Sequence, residues 1–181
     1  YLVASSGTLT NLGGGVWSYT PALDDDTAVT FTYDISDGTA TIAGTASLDL
    51  TPVNDAPTSS DVDLGTLAED GTRTITAAQF LANAGDVDGD TLTVTNLVAS
   101  SGTLTNLGGG VWSYTPDLND DSNVTFSYDI SDGTVTVAGT ASLDLTPVDD
   151  APTTSNVNLG ALAADGTRTF TEAELLANAG D

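Results

Sequence analysis

The 181-residue chain sets 26 acidic residues against two arginines, with no lysine, histidine or cysteine, for a formal net charge of -24. A field of that sign repels nucleic acid and anionic membrane surfaces. The missing residue types remove the usual general bases and nucleophiles as well as disulfides and zinc-thiolate sites, which argues against an enzyme.

Self-comparison sets the domain organisation. Residues 2–53 match residues 97–148 except at positions 22, 24, 27, 28, 32, 40 and 42, and residues 54–86 resemble 149–181, at an offset of 95 residues. Residues 1–53 are therefore read as the C-terminal part of one repeat, 54–148 as a complete repeat and 149–181 as the N-terminal part of the next. Tyr1 aligns with Asn96 and Asp181 with Asp86, so a window on a longer array is expected. A 95-residue unit suits one β-sandwich.

In chain order, the first strong strand is 16–20, which comes after three glycines and is left through the acidic loop Asp24, Asp25, Asp26. Phe31, Tyr33 and Ile35 alternate with polar residues, and Ser36-Asp37-Gly38 turns the chain into a long strand carrying Ile42, Ala46 and Leu48 on one face. The next eight residues, TPVNDAPT at 51–58, hold two prolines. Proline removes a ladder donor and drives its neighbour extended, so this piece reads as a stiff linker between repeats. Residues 62–67 and 72–75 form the next strands, around the turn at Glu69 and Asp70. Thr76 with Gln79 then forms a capping box on a helix of one or two turns that stops at Gly85. The acidic loop Asp86, Asp88, Asp90 leads into a strand at 91–95. Each repeat thus has about seven strands and one short helical insert. The expected fold class is all-β, a tandem array of seven-stranded immunoglobulin-like or cadherin-like sandwiches.

Alternating strands sort the acids to two ends of each sandwich. At the first junction Asp25, Asp26, Asn54 and Asp55 are expected to face Asp86, Asp88, Asp90 and Asp132. At the second, Glu69, Asp70, Asp120, Asp121, Asp149 and Asp150 are expected to face Asp181 and the loop that it opens in the next repeat. Carboxylates gathered in so small a volume repel unless neutralised. Calcium takes six to eight hard oxygen ligands in flexible geometry, whereas magnesium demands a strict octahedron with retained water. The loop from Asp86 resembles the start of a helix-loop-helix calcium site, but its twelfth position is Leu97 instead of glutamate and a strand comes next, so that motif is rejected. Asp24, Asp34 and Asp63 are read as solvated surface groups. A competing function is a carbohydrate-binding module that stacks sugars on Trp17 and Tyr19 or on Trp112 and Tyr114; these aromatics otherwise belong to the core.

The segments LAEDGTRTITAAQFLANAGDVDGDTLTVTN, GVWSYTP, FSYDISDGT and TPVNDAPT resemble the cadherin-like tandem repeats of large bacterial surface adhesins, which are often secreted by type I machinery. The resemblance covers nearly the whole chain. It implies an extracellular, cell-surface extender stiffened by calcium (Ca2+) at its joints, partnered by neighbouring repeats or neighbouring copies, with an adhesion target that the repeats do not name. It also implies ligands at Asp55, Asp86, Asp88, Asp90, Asp132 and Asp150, and at Glu69, although Glu69 becomes Ala164 in the third copy. The two terminal parts are expected to be ordered only where missing strands are supplied from elsewhere.

Overall fold

The computed structural model describes residues 1–180. Residues of the first part form β1 (Leu2–Ala4), β2 (Thr8–Gly13), β3 (Val16–Thr20), β4 (Val29–Ser36) and β5 (Thr41–Leu48). The complete repeat adds β6 (Val62–Ala68), β7 (Arg73–Thr76), α1 (Ala77–Phe80), β8 (Thr93–Ala99), β9 (Thr103–Gly108), β10 (Val111–Thr115), β11 (Val124–Ser131) and β12 (Thr136–Thr146). The last part holds β13 (Thr153–Thr154), α2 (Glu172–Leu175) and β14 (Ala179–Gly180).

The complete repeat is the expected seven-stranded sandwich. One sheet has the order β6-β12-β11-β8 and the other β7-β10-β9. All pairings are antiparallel except β12 with β6, which run parallel. The period-2 pattern explains which face is inside: Val124, Phe126, Tyr128 and Ile130 of β11 and Ala141, Leu143 and Leu145 of β12 are all buried. Trp112 and Tyr114 of β10 face them across the core, which removes the sugar-stacking platform from the complete repeat. The single-turn helix carries the expected capping box, with the Thr76 amide donating to Gln79 Oε1 at 2.9 Å. Phe80 is fully buried, with ring centroids 5.0 Å from Tyr128, 5.7 Å from Phe126 and 5.8 Å from Trp112. The Tyr128 hydroxyl donates to the Phe80 carbonyl at 2.7 Å, so this aromatic keeps a polar partner while inside.

The flanking parts differ from the complete repeat where they lack its partners. β12 runs to Thr146, and its last residues pair with Thr66, Leu67 and Ala68 of β6. Their counterparts 49–51 have no such neighbour and are not strand. Likewise 157–163 and 168–171, which correspond to β6 and β7, do not form strands. The expectation that both terminal parts require missing strands is corrected for residues 1–53: β1, β4 and β5 form one sheet and β2 and β3 another, with their inner face uncovered. The β2–β3 and β4–β5 hairpins pair locally and β1 adds to β4, so these strands form among themselves; Val29 stays fully buried while Ile35 and Leu48 are exposed. The sequence does not mark β2 and β9, because TLTNLG lacks bulky β-branched residues; they form by pairing with β3 and β10.

Candidate metal centre

The linker at 51–58 carries Asn54 and Asp55 outward between its prolines, and the structure brings them against the second repeat. The Asp55 amide donates to Asp88 Oδ2 at 2.7 Å, and Asn54 Nδ2 donates to Asp132 Oδ2 at 3.0 Å. Both contacts cross from the linker to loops at the near end of the complete repeat, as the topology requires. Asp132 is itself fixed at the tip of the β11–β12 turn, where its other carboxylate oxygen accepts from the amides of Thr134 and Val135 at 2.6 Å each. These donors, led by Asn54, hold its pKa below the ordinary aspartate value.

The loop after α1 folds around Asp86. Its Oδ1 accepts from the amides of Asp88 at 2.9 Å and Asp90 at 3.3 Å, which curls the DVDGD segment and turns three carboxylates to one side. Oxygens of Asp86, Asp88 and Asp90 lie within 4.8 Å of one another, the one such group of three or more acids among the described residues. The remaining oxygen, Asp86 Oδ2, is shielded from solvent and has no hydrogen-bond donor. A carboxylate oxygen in that condition calls for a cation.

The first part of the chain completes the surroundings. A cleft of about 440 Å³ is lined by Asp24, Asp25, Asp26, Asp49, Asp55 and Asp88, and an adjoining one of about 460 Å³ by Asp24, Asp26, Asn54, Val87, Asp88 and Asp90. Asp24 is therefore not a detached surface acid. It sits in left-handed backbone at φ 55°, which aspartate tolerates better than most residues, and so faces the linker. Asp55 has its pKa raised, first by partial loss of solvent and then by the charges of Asp24, Asp88 and Asp86. Asp25 is lowered instead, because the Thr27 hydroxyl and amide and the Ser6 side chain donate to it. Asp24 belongs to the acidic loop of Asp25 and Asp26 but reads from the sequence as a solvated group, and Asp49 lies in no motif; only the return of the chain past the linker puts both in the cleft.

No basic side chain answers this charge. The Arg73 guanidinium donates to the Leu64 carbonyl, and Arg168 pairs with Glu174 at 3.2 Å. The donor set fits a hard divalent cation of calcium type: oxygens only, several carboxylates, one backbone-organised loop and an orphaned buried oxygen.

At the far end of the complete repeat the picture is different. Glu69 is only 7% exposed, and its Oε1 accepts from the Val148 amide at 2.7 Å while its own amide donates to the Thr146 carbonyl at 3.1 Å. It clamps the start of the outgoing linker. Asp120 Oδ1 accepts from the Ser122 amide at 3.1 Å, and the Ser122 hydroxyl is the chief cause of its lowered pKa. Asp70, Asp121, Asp149 and Asp150 are exposed, and these acids are not drawn into one metal-spaced group among the described residues. Asp181, expected to face them, lies outside the described residues. Among the described residues no helix is long and apolar enough to cross a membrane.

A family model described as a cadherin-like domain matches residues 1–51 and 53–146. Among curated proteins none matches the chain. Solved structures similar to it include three of endo-fucoidan hydrolases from glycoside hydrolase family 107. Their TM-scores are 0.40, 0.34 and 0.36, with 21%, 18% and 20% identity over 82%, 80% and 88% of this chain. The chain spans 24%, 27% and 25% of the length of those hydrolases.

Proposed function

The chain belongs to the family of cadherin-like domains, and from that membership we propose that it is a structural extender of an extracellular, cell-surface adhesin or filament, stiffened by calcium at the joint between repeats. The observation that carries this reading is the buried, donorless Asp86 Oδ2 beside Asp88 and Asp90, with Asp55 of the linker bonded to Asp88 through its amide. Asp86, Asp88 and Asp90 of one repeat would hold the ion together with Asp55 of the linker and the loop of Asp24 and Asp26. The ion supplies positive charge where the two repeats otherwise repel.

The mechanism is linkage. A ligand that binds the stacked arrangement better than the bent one shifts the population towards a straight rod by its difference in affinity. Asn54 and Asp132 preset the approach by a direct hydrogen bond, so the ion closes a joint whose orientation is partly fixed already. Near-identity of successive repeats suits a spacer, in which each unit does the same job. No catalytic role is proposed: histidine, cysteine and lysine are absent, and the acids lie on loops around a linker.

The test is small-angle scattering with a melting curve on a chain of two whole repeats, in millimolar calcium, in magnesium and in excess chelator. The expected result is a longer particle with a higher Tm in calcium and a much smaller effect of magnesium. Identical curves in calcium and chelator would overturn the assignment.

A further inference from the structure

The two linkers and the two acidic loops of this chain are close copies, so the positions at which their charge differs stand out. Asn54 of the first linker becomes Asp149 in the second, and Asp24 of the first loop becomes Asn119 in the second. The exchange runs in opposite directions, and each loop with its linker carries a single carboxylate at these two positions together. Asp24 and Asn119 hold the same left-handed backbone, with φ 55° at each, so the exchange alters the charge and leaves the turn as it was. One further acid enters the second loop, Asp117 in place of Ala22. It is tied to its own repeat by the Gly102 amide, which donates to it at 3.2 Å.

The fold brings both positions to the joint. Asp24 and Asn54 line one cleft with Asp88 and Asp90. The Asn54 side-chain amide donates there to the Asp55 carbonyl at 3.1 Å and to Asp132 Oδ2 at 3.0 Å, which uses both of its protons. An ionised aspartate at 54 has no proton for either acceptor and would set its charge against that of Asp132.

We propose that positions 24 and 54 are a compensating pair: the one carboxylate that they share is a ligand of the cation at whichever position it stands, and asparagine at 54 is a metal-free pin that aspartate there removes. The shared ligand rests on the calcium reading, and the pin does not. A joint with Asp24 and Asn54 keeps its orientation without the ion, through the bond to Asp132. A joint with asparagine in the loop and aspartate in the linker is oriented by the ion alone. Both offer the ion the same number of carboxylates from these two positions, so rigidity without calcium changes while affinity for it is kept.

The chain has no cysteine, so Thr32→Cys and Thr125→Cys, both at exposed positions, accept one spin label each on either side of the joint. Pulsed electron spin resonance then reads the spread of distances between them, and calorimetric titration reads calcium binding. Both are applied to the labelled parent, Asp24→Asn, Asn54→Asp and the double variant Asp24→Asn/Asn54→Asp. In chelator the parent and Asp24→Asn should give a narrow distribution, and the two chains with Asn54→Asp one roughly twofold broader, which calcium narrows again. Asp24→Asn should weaken calcium binding roughly tenfold, and the double variant should return to within about threefold of the parent. A parent that is broad in chelator, or an Asn54→Asp chain as narrow as the parent, would overturn the pin. A double variant that binds calcium no better than Asp24→Asn would overturn the compensation while leaving the calcium reading intact. A parent that binds no calcium would overturn that reading and the shared ligand together, and the widths in chelator would still judge the pin.

Discussion

Replacing Asp88 by asparagine should change the sign of its effect on stability according to whether calcium is present. Without metal, three carboxylates lie with oxygens within 4.8 Å of one another on a largely exposed loop. At that distance, and with water-like screening, each pair costs about 0.9 kcal/mol, so removing one charge relieves about 1.7 kcal/mol at low ionic strength and less at physiological salt. Against this, the hydrogen bond from the Asp55 amide at 2.7 Å loses its charged acceptor, a cost of roughly 1 kcal/mol. The net expectation in chelator is a gain of up to about 1 kcal/mol, or a few degrees in Tm. With calcium at about a hundred times its Kd, binding stabilises the parent by about 2.7 kcal/mol, and a site weakened a hundredfold keeps only about 0.4 kcal/mol of this. Asp88→Asn should therefore melt at or above the parent in chelator and clearly below it in calcium. Calorimetric melts of both proteins in the two buffers decide the matter. A variant that falls below the parent by the same amount in both would show that Asp88 is a turn residue and not a ligand.

Titration should separate the acids of the joint. Followed by NMR in chelator, Asp55 should titrate above the ordinary aspartate value and Asp132 below it. The signs for stability are opposite: the raised acid opposes the metal-free joint fully above its raised value, and that opposition fades as pH falls from the raised value to the ordinary one. The lowered acid stabilises above its ordinary pKa and loses that contribution as pH falls through the lowered one. Calcium should then pull the Asp55 midpoint down, and an unchanged midpoint would speak against ligation. Glu69→Ala should cost about 1–3 kcal/mol by leaving the Val148 amide unpaired, and Glu69→Gln less, since an amide oxygen still accepts. Limited proteolysis at the outgoing linker should accelerate in the first variant, and equal rates would remove the clamp. In the core, Phe80→Ala should cost about 3–5 kcal/mol in urea unfolding, because its ring touches Trp112, Phe126 and Tyr128. Gly139→Ala should cost about 1–3 kcal/mol, since a methyl group there collides with the Tyr128 ring. Losses below about 1 kcal/mol in both would mean that the packing is looser than described.

The repeat, its period, the hairpin of Phe31, Tyr33 and Ile35, the capping box at Thr76 and the irregular, proline-bearing linker were all legible in the chain, because each rests on local chemistry: alternation, turn residues, prolines, a reciprocal cap. The inward direction of Trp112 comes from the same alternation. The joint was legible only in part. Asp86, Asp88 and Asp90 announce themselves by spacing, and Asp55 by its place between prolines. Asp24 and Asp49, by contrast, reach the cleft through a left-handed turn and the end of a long strand, and no local pattern reports where those end in space. Glu69 stands beside Asp70 in the sequence as an acid of the junction, and only the fold shows that it is buried, with one oxygen accepting from the Val148 amide of the outgoing linker. Tertiary structure also decided which copies of a strand exist at all. Segments 144–146 and 49–51 differ at no position, yet only the first is strand, because β6 lies beside it and nothing lies beside the other. Sequence sets the propensity and the pattern, but a ladder needs a second chain segment, and that is a property of the assembled sheet.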